Sequence, residues 1–200
     1  MKRDHVAILH MPSPSRINPF AIIQKYYAPN DEAYRILVIH SVLVANKALE
    51  IAEAYQQRHA EAAVDMRFIE EAALLHDIGI FRCEVRSIHC FGTEPYVKHG
   101  VIGREILEQE GLPQHALVCE RHTGVGITKE EVLKQKLPLP LRDYLPITLE
   151  EKIICLADRF YMKKPEALYQ PLSVQSIGGK IAKYGAPASA RWQELLQLFL

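Results

Sequence analysis

Between residues 31 and 57 the apolar side chains Ile36, Leu37, Ile39, Leu43, Val44, Ala48 and Ile51 recur at intervals of three and four. That spacing predicts a long helix with one face turned to a core. Asn30 and Asp31 offer a cap at its start. His40 lies four residues after Ile36 and three before Leu43, so it projects from the same inward stripe. No part of the chain shows a strong run of alternating apolar and polar residues, an internal repeat or a low-complexity tract. The fold class expected is therefore all-α.

The rest of the chain is read around that helix. The first thirty residues are irregular, punctuated by Pro12, Pro14 and Pro19, with a short helix over 20–27. A second main helix, rich in Ala and Leu, covers 65–77. The loop 78–95 contains Gly79, Gly92 and Pro95, and loops of such length are commonly functional. Helices are expected over 96–109 and 113–122, the latter broken by Gly124 and Gly126. Three prolines make 137–146 an extended linker. Thr148, followed by Glu150 and Glu151, caps a helix running to about residue 162. Gly178-Gly179 reads as a turn, and 190–200 as an amphipathic closing helix. The organisation expected is an irregular extension over 1–30, a central domain over 31–164, and a helical extension over 165–200 that packs on it.

Bulk properties exclude some functions. Lysine plus arginine equals aspartate plus glutamate, 24 of each, which argues against a general nucleic-acid binder or a membrane-surface protein. The apolar stretches fall far short of a bilayer span, and the N-terminal residues lead into no signal-like apolar core. Cys83, Cys90, Cys119 and Cys155 are scattered without a C-x-x-C pair, as suits reduced thiols in a cytoplasmic protein.

The chemistry centres on His76-Asp77-Ile78-Gly79, which follows the apolar run 68–75. A carboxylate at the end of a buried helix needs a partner or a metal, because burying its charge alone costs several kcal/mol or more. On the dipeptide alone, a solvated helix end stopped by Gly79 is an equal reading. Other side chains change the balance. His40, His76, His99 and His122 each sit on or at the end of an expected helix with an apolar inward face. His59 and His115 lie at a charged helix end and in a first turn, and His5 and His10 in the irregular N-terminus. Asp158 is the only acid in the apolar stretch 153–158. Pairing with Arg159 or with a helix terminus would be its structural role; beside four inward histidines, ligation is the better reading. Helical bundles build metal sites from side chains projecting inward from separate helices.

These residues give the chain a resemblance to the HD superfamily of metal-dependent phosphohydrolases. The resemblance rests on His40, then His76-Asp77 within Leu-Leu-His-Asp-Ile-Gly, then Asp158 within Leu-Ala-Asp, in the family's order. Lys98-His99-Gly100 with Gly103, and Glu120-Arg121-His122-Thr123-Gly124, place it with the two-metal, HDIG-type branch. The layout is also similar to bacterial diadenosine tetraphosphate hydrolases of the HD class. The resemblance implies an HD-domain helical bundle with one divalent ion on His40, His76, Asp77 and Asp158. Asp77 would bridge to a second ion held also by His99 and His122. Imidazole and carboxylate ligands favour iron, manganese, nickel, cobalt or zinc.

The activity so implied is hydrolysis of a phosphoester or phosphoanhydride, in a nucleotide or other small phosphorylated metabolite. Attack would come from a hydroxide bridging two ions about 3.5–4 Å apart, with Asp77 catalytic through that bridge. Lys98, Arg121 and Arg159 are candidate substrate contacts, as are Lys163 and Lys164. An ordinary solvated charge is the alternative for each, because helix neighbours point about 100° apart. Cys90 and Cys119 lie close in sequence to candidate ligands, but buried cysteines more often act as small apolar residues. The chain departs from the cyclic-di-GMP branch in lacking its Gly-Tyr-Pro and paired histidine, and Ile80 stands where a lysine commonly follows H-D-I-G. Two other functions stay open: an HD-type diiron oxygenase and a non-catalytic metal-binding HD module. The expected partner is the small substrate; neither membrane nor nucleic acid is expected, and a homodimer is compatible.

Overall fold

A computed structural model describes residues 16–200. The readings made for His5, His10, Pro12 and Pro14 lie outside the described residues. The architecture is helical, as expected: α1 Pro19–Ile23, α2 Glu32–Arg58, α3 Met66–Leu75, α4 His99–Gln109, α5 Pro113–Arg121, α6 Lys129–Lys134, α7 Leu149–Asp158, α8 Val174–Ile181 and α9 Ala186–Phe199. No helix among the described residues is long and apolar enough to cross a membrane.

Local chemistry explains the main helix starts. Asp65 Oδ1 accepts from the Phe68 amide at 2.9 Å, and Thr148 Oγ1 from the Glu151 amide at 3.2 Å. Each satisfies an amide that the first helical turn leaves without a partner. The buried face of α2 includes Ile36, Leu37, His40, Val44, Ala48 and Ile51. Ile39 and Leu43, read as part of that stripe, are half-buried at its flank.

Three local readings change. Gly178 and Gly179 are not a turn but lie inside α8, which Ser173 caps. A Cβ at Gly178 would stand 3.4 Å from the Trp192 indole nitrogen, so the bare backbone lets α8 rest on α9. The loop 78–95 is structured: a 3-10 turn over Ile78–Arg82 leads into a small antiparallel hairpin, β1 Glu84–Val85 with β2 Cys90–Phe91. The helix α7 stops at Asp158, several residues early, and the chain reaches Pro165 through an extended Lys164, the conformation a following proline favours.

Two apolar clusters form the interior. One joins Val44 and Ala48 of α2 with Ile69 of α3, Ile153 and Ile154 of α7, and Trp192 and Phe199 of α9. The helices after residue 165 thus share a core with the central bundle; truncating an aromatic buried in this way costs about 3–5 kcal/mol. The second cluster joins Ile23, Leu37, Leu75, Ile78, Ile106 and Cys119. Close approaches hold this second part together. A Cβ on Gly79 would lie 2.3 Å from the His99 carbonyl oxygen, and one on Gly100 2.5 Å from that of Cys119. Only glycine lets the backbones after Asp77, at His99 and before His122 come so near.

Candidate metal centre

Five elements deliver six polar side chains to one buried point. His40 comes from the middle of α2, His76 and Asp77 from the end of α3, and His99 from the first residue of α4. His122 follows α5, and Asp158 is the last residue of α7. Helix ends suit this purpose because their backbone turns away and leaves side chains free to converge. Asp77 has φ −107° and ψ 11°, in the sparsely allowed bridge region where active-site residues often sit. All six side chains are buried. Tyr27 braces the segment after Asp77: its hydroxyl donates to the Ile78 carbonyl at 2.8 Å and accepts from the Phe81 amide at 3.1 Å.

The two oxygens of Asp77 face different histidine pairs. Oδ2 lies 3.0 Å from His76 Nε2 and 3.3 Å from His40 Nε2. Oδ1 lies 3.4 Å from both His99 Nε2 and His122 Nε2. Asp158 Oδ1 closes the first group, 2.9 Å from His40 Nε2 and 3.5 Å from His76 Nε2. Potential ligand atoms of His40, His76, Asp77 and Asp158 all lie within 4.8 Å of one another, as do those of Asp77, His99 and His122. Asp77 is the member common to both groups.

The donor chemistry tests whether a cation fits. Nδ1 of His76, His99 and His122 stands 2.6, 2.6 and 2.8 Å from the carbonyls of Ala73, Tyr96 and Cys119. A carbonyl only accepts, so Nδ1 carries the proton of each neutral ring and Nε2 presents a lone pair. Burial pushes the His99 imidazole down to about 3 and His122 down to about 4. Their Nε2 atoms are 3.0 Å apart, lone pair facing lone pair, with a carboxylate oxygen beside them. Such a set is repulsive without a cation, and the carbonyl contacts are those that orient metal-binding histidines. His40 is lowered to about 3, first by burial and then by Lys163, while its Nδ1 has no hydrogen-bond partner among the described residues. The Asp77 carboxyl is held well below the usual range: burial opposes its charge, but the neighbouring His76 and Lys163 outweigh that. A divalent ion fits this set.

The candidate cations divide. Lys163 points inward, with Nζ 2.6 Å from Asp77 Oδ2 and 3.8 Å from Asp158 Oδ1. Burial disfavours its charge, but Asp77 more than offsets this and its pKa is raised. The contact is an ion pair rather than an aligned hydrogen bond, since neither Asp77 oxygen has a partner of hydrogen-bonding geometry. Arg159 touches the Asp158 carboxylate. Arg121 instead binds Glu151 at 2.9 and 3.2 Å, and Lys98 binds Glu94 at 2.7 Å. Those two are anchors at the bundle surface and do not line the cavity over the cluster. Glu120 has a similar role, gripped by Arg104 and Arg142. The cysteines fall outside both ligand groups; Cys119 Sγ donates to the Leu75 carbonyl at 3.3 Å, and burial pushes its thiol up.

Over the cluster lies a cavity of about 630 Å³ that reaches His99, His122 and Asp158. The loop 78–95 contributes to its lining through Ser87 and Ile88, and the segment after His122 through Thr123 and Ile127. The sequence reading missed two contributions. Tyr96 stacks on His99, ring centroids 4.5 Å apart; its place three residues before a candidate ligand is the only signal it gives. Ile177, Lys180 and Ile181 of α8 also form wall, and no motif marks them.

Comparison with known proteins places this geometry in context. The HD domain family model matches residues 37–163. An uncharacterized protein of Methanocaldococcus jannaschii is 43% identical over 123 residues, which are 61% of this chain and 64% of that protein. A tRNA (cytidine(56)-2'-O)-methyltransferase of Picrophilus torridus is 35% identical over 130 residues, 64% of this chain and 32% of that one. The protein of the same name from Thermoplasma volcanium is 34% identical over 165 residues, 82% of this chain and 41% of that one. The chain thus spans less than two thirds of each of these relatives. No solved structure matches it.

Proposed function

Since the chain belongs to the HD domain family, we propose that it is a metal-dependent phosphohydrolase of the HDIG type with a two-ion centre. The observation carrying this reading is the division of Asp77, one oxygen toward His40 and His76 and the other toward His99 and His122. His40, His76, Asp77 and Asp158 would hold one ion, and Asp77, His99 and His122 the other. When bound, such ions supply Lewis acidity to water and to phosphoryl oxygens.

The chain's own groups do the rest. The carbonyls of Ala73, Tyr96 and Cys119 hold three imidazoles in the tautomer that leaves Nε2 free. Lys163 and Arg159, which line the cavity beside the carboxylates, meet negative charge on a phosphoryl group. The buried floor keeps bulk water from the carboxylates, which strengthens each of these contacts. Hydrolysis adds water across the P–O bond and needs no side-chain nucleophile. The substrate is a small phosphorylated compound such as a nucleotide, and the cavity falls within the range of about 300–1,000 Å³ usual for small-molecule sites. Residues 31–164 form the catalytic unit in this proposal and 165–200 an extension of it. Methyl transfer is not part of it: the two relatives bearing that name extend well beyond the segment they share with this chain.

The test is phosphate release from a panel of nucleotides and other phosphoesters by protein loaded in turn with manganese, iron, cobalt, nickel and zinc. Asp77→Ala abolishes release. Oxygen uptake by the iron-loaded protein without phosphate release from any compound would overturn the reading in favour of an oxygenase. Full turnover by Asp77→Ala would overturn it outright.

A further inference from the structure

The family match ends at residue 163, yet the far wall of the cavity comes from beyond it. Ile177, Lys180 and Ile181 of α8, Tyr184, and Ala188 and Arg191 of α9 all line it. The cations on this wall are not equivalent. Arg191 is committed: its guanidinium holds Glu131 at 2.8 Å and the carbonyls of Val125 and Gly126 at 3.2 and 3.1 Å. Lys180 has no carboxylate partner among the described residues; its Nζ lies 3.1 Å from Met162 Sδ, which leans it over the segment just after Asp158. Lys164, also on the lining, pairs with no carboxylate among the described residues either. Both lysines are exposed at the rim, whereas Lys163 lies at the buried end. The lining is otherwise largely apolar, with Ile88, Leu172, Ile177 and Ile181 among its residues.

The cavity lining therefore carries a buried cation, Lys163, and two exposed ones, Lys164 and Lys180, together with an apolar belt of Ile88, Leu172, Ile177 and Ile181, in a chain whose formal net charge is zero. A compound with a single phosphate and a neutral polar body would leave the rim lysines unused and set polar groups against the belt. We infer that the residues beyond 163 select the substrate, and that they fit a phosphate ester whose apolar or aromatic body carries a second anionic group at its far end. The phosphate would lie at the cluster, the body against Ile177 and Ile181, and the second anion on Lys180 and Lys164. This rests on the reading of the cluster as the phosphate-directed end.

The experiment compares phenyl phosphate with an aryl phosphate bearing a carboxylate para to the ester, using full-length metal-loaded protein. Binding is read by titration calorimetry and turnover by phosphate release, so the two claims fail separately. The carboxylated ester binds more tightly by about two- to fivefold, the range for an exposed ion pair. The variant Lys164→Ala/Lys180→Ala abolishes this preference, and Lys180→Arg with Lys164 intact retains it. Equal binding of the two esters by the parent protein, or a preference that survives the double substitution, overturns the inference. Preferential binding by a protein that releases phosphate from neither ester and from no compound of the nucleotide and phosphoester panel supports the inference about the wall and overturns the hydrolase reading.

Discussion

Lys163→Met tests whether the cluster is built around an excess of negative charge. Lys163 Nζ lies 2.6 Å from one Asp77 oxygen and 3.8 Å from Asp158, with its side chain only 12% exposed. Methionine keeps most of the apolar stem and removes the charge, leaving Asp77 buried without its closest cation. Removing one partner of a buried ion pair costs about 3–5 kcal/mol. In a chain of this length each kcal/mol moves the melting temperature by about 2–4 °C, so chelator-treated Lys163→Met should melt about 6–20 °C below the chelator-treated parent. Divalent ions bound at Asp77 would replace the missing charge and stabilise the folded state by linkage. Melting both proteins again with saturating manganese should then close most of the gap. A gap below about 2 °C in chelator, less than the shift worth 1 kcal/mol, refutes the reasoning. So does a gap of the same size with and without manganese.

Other expectations follow from the same geometry. Gly79→Ala forces a Cβ to within 2.3 Å of the His99 carbonyl oxygen; it should destabilise by about 3 kcal/mol or more in urea unfolding, whereas the open helical site Gly179→Ala should stabilise by up to about 1 kcal/mol. For pH, burial depresses His40 and His99 to about 3 and His122 to about 4 in the folded chain. The unfolded chain therefore binds more protons below about 6.5, and stability is present above that pH and lost as it falls toward the folded values. Each of these histidines contributes a slope of about 1.4 kcal/mol per pH unit through that window; urea unfolding of chelator-treated protein at pH 7.5 and 5.0 measures it, and equal stability at both would contradict the burial. Arg121→Ala breaks the ion pair with Glu151 and should lower the melting temperature while leaving KM unchanged in a phosphate-release assay.

The sequence disclosed the clustered histidines and carboxylates better than their surroundings. His40 was legible because it shares a helical stripe with Ile36 and Val44, His76, Asp77 and Asp158 because they end apolar runs, and His99 and His122 because each lies on or at the end of a helix with an apolar inward face. Asp77 as the shared member came from resemblance; its two oxygens facing two histidine pairs is a three-dimensional fact that spacing alone does not carry. Adjacency in sequence did not place Lys98 and Arg121 on the cavity; they pair with Glu94 and Glu151 instead. Lys163 was considered only among other cations, because its inward course depends on α7 stopping at Asp158. The helix α6 was overlooked although its signal was present: Thr128 and Glu131 form a reciprocal cap. Gly178-Gly179 misled because glycine breaks an isolated helix, whereas here the packing of Trp192 on Gly178 favours the small residue. The α8 wall had no local signature, since a cavity lining is set by which helices meet.

Ion content per chain, measured by mass spectrometry of purified protein after reconstitution and removal of free metal, tests the central claim most directly. The parent should hold two ions. His99→Ala and His122→Ala should each hold one, and Asp77→Ala close to none, with folding of each variant checked by circular dichroism. A parent that binds a single ion, or a folded Asp77→Ala variant that keeps two, would contradict a centre built on Asp77 as the shared ligand.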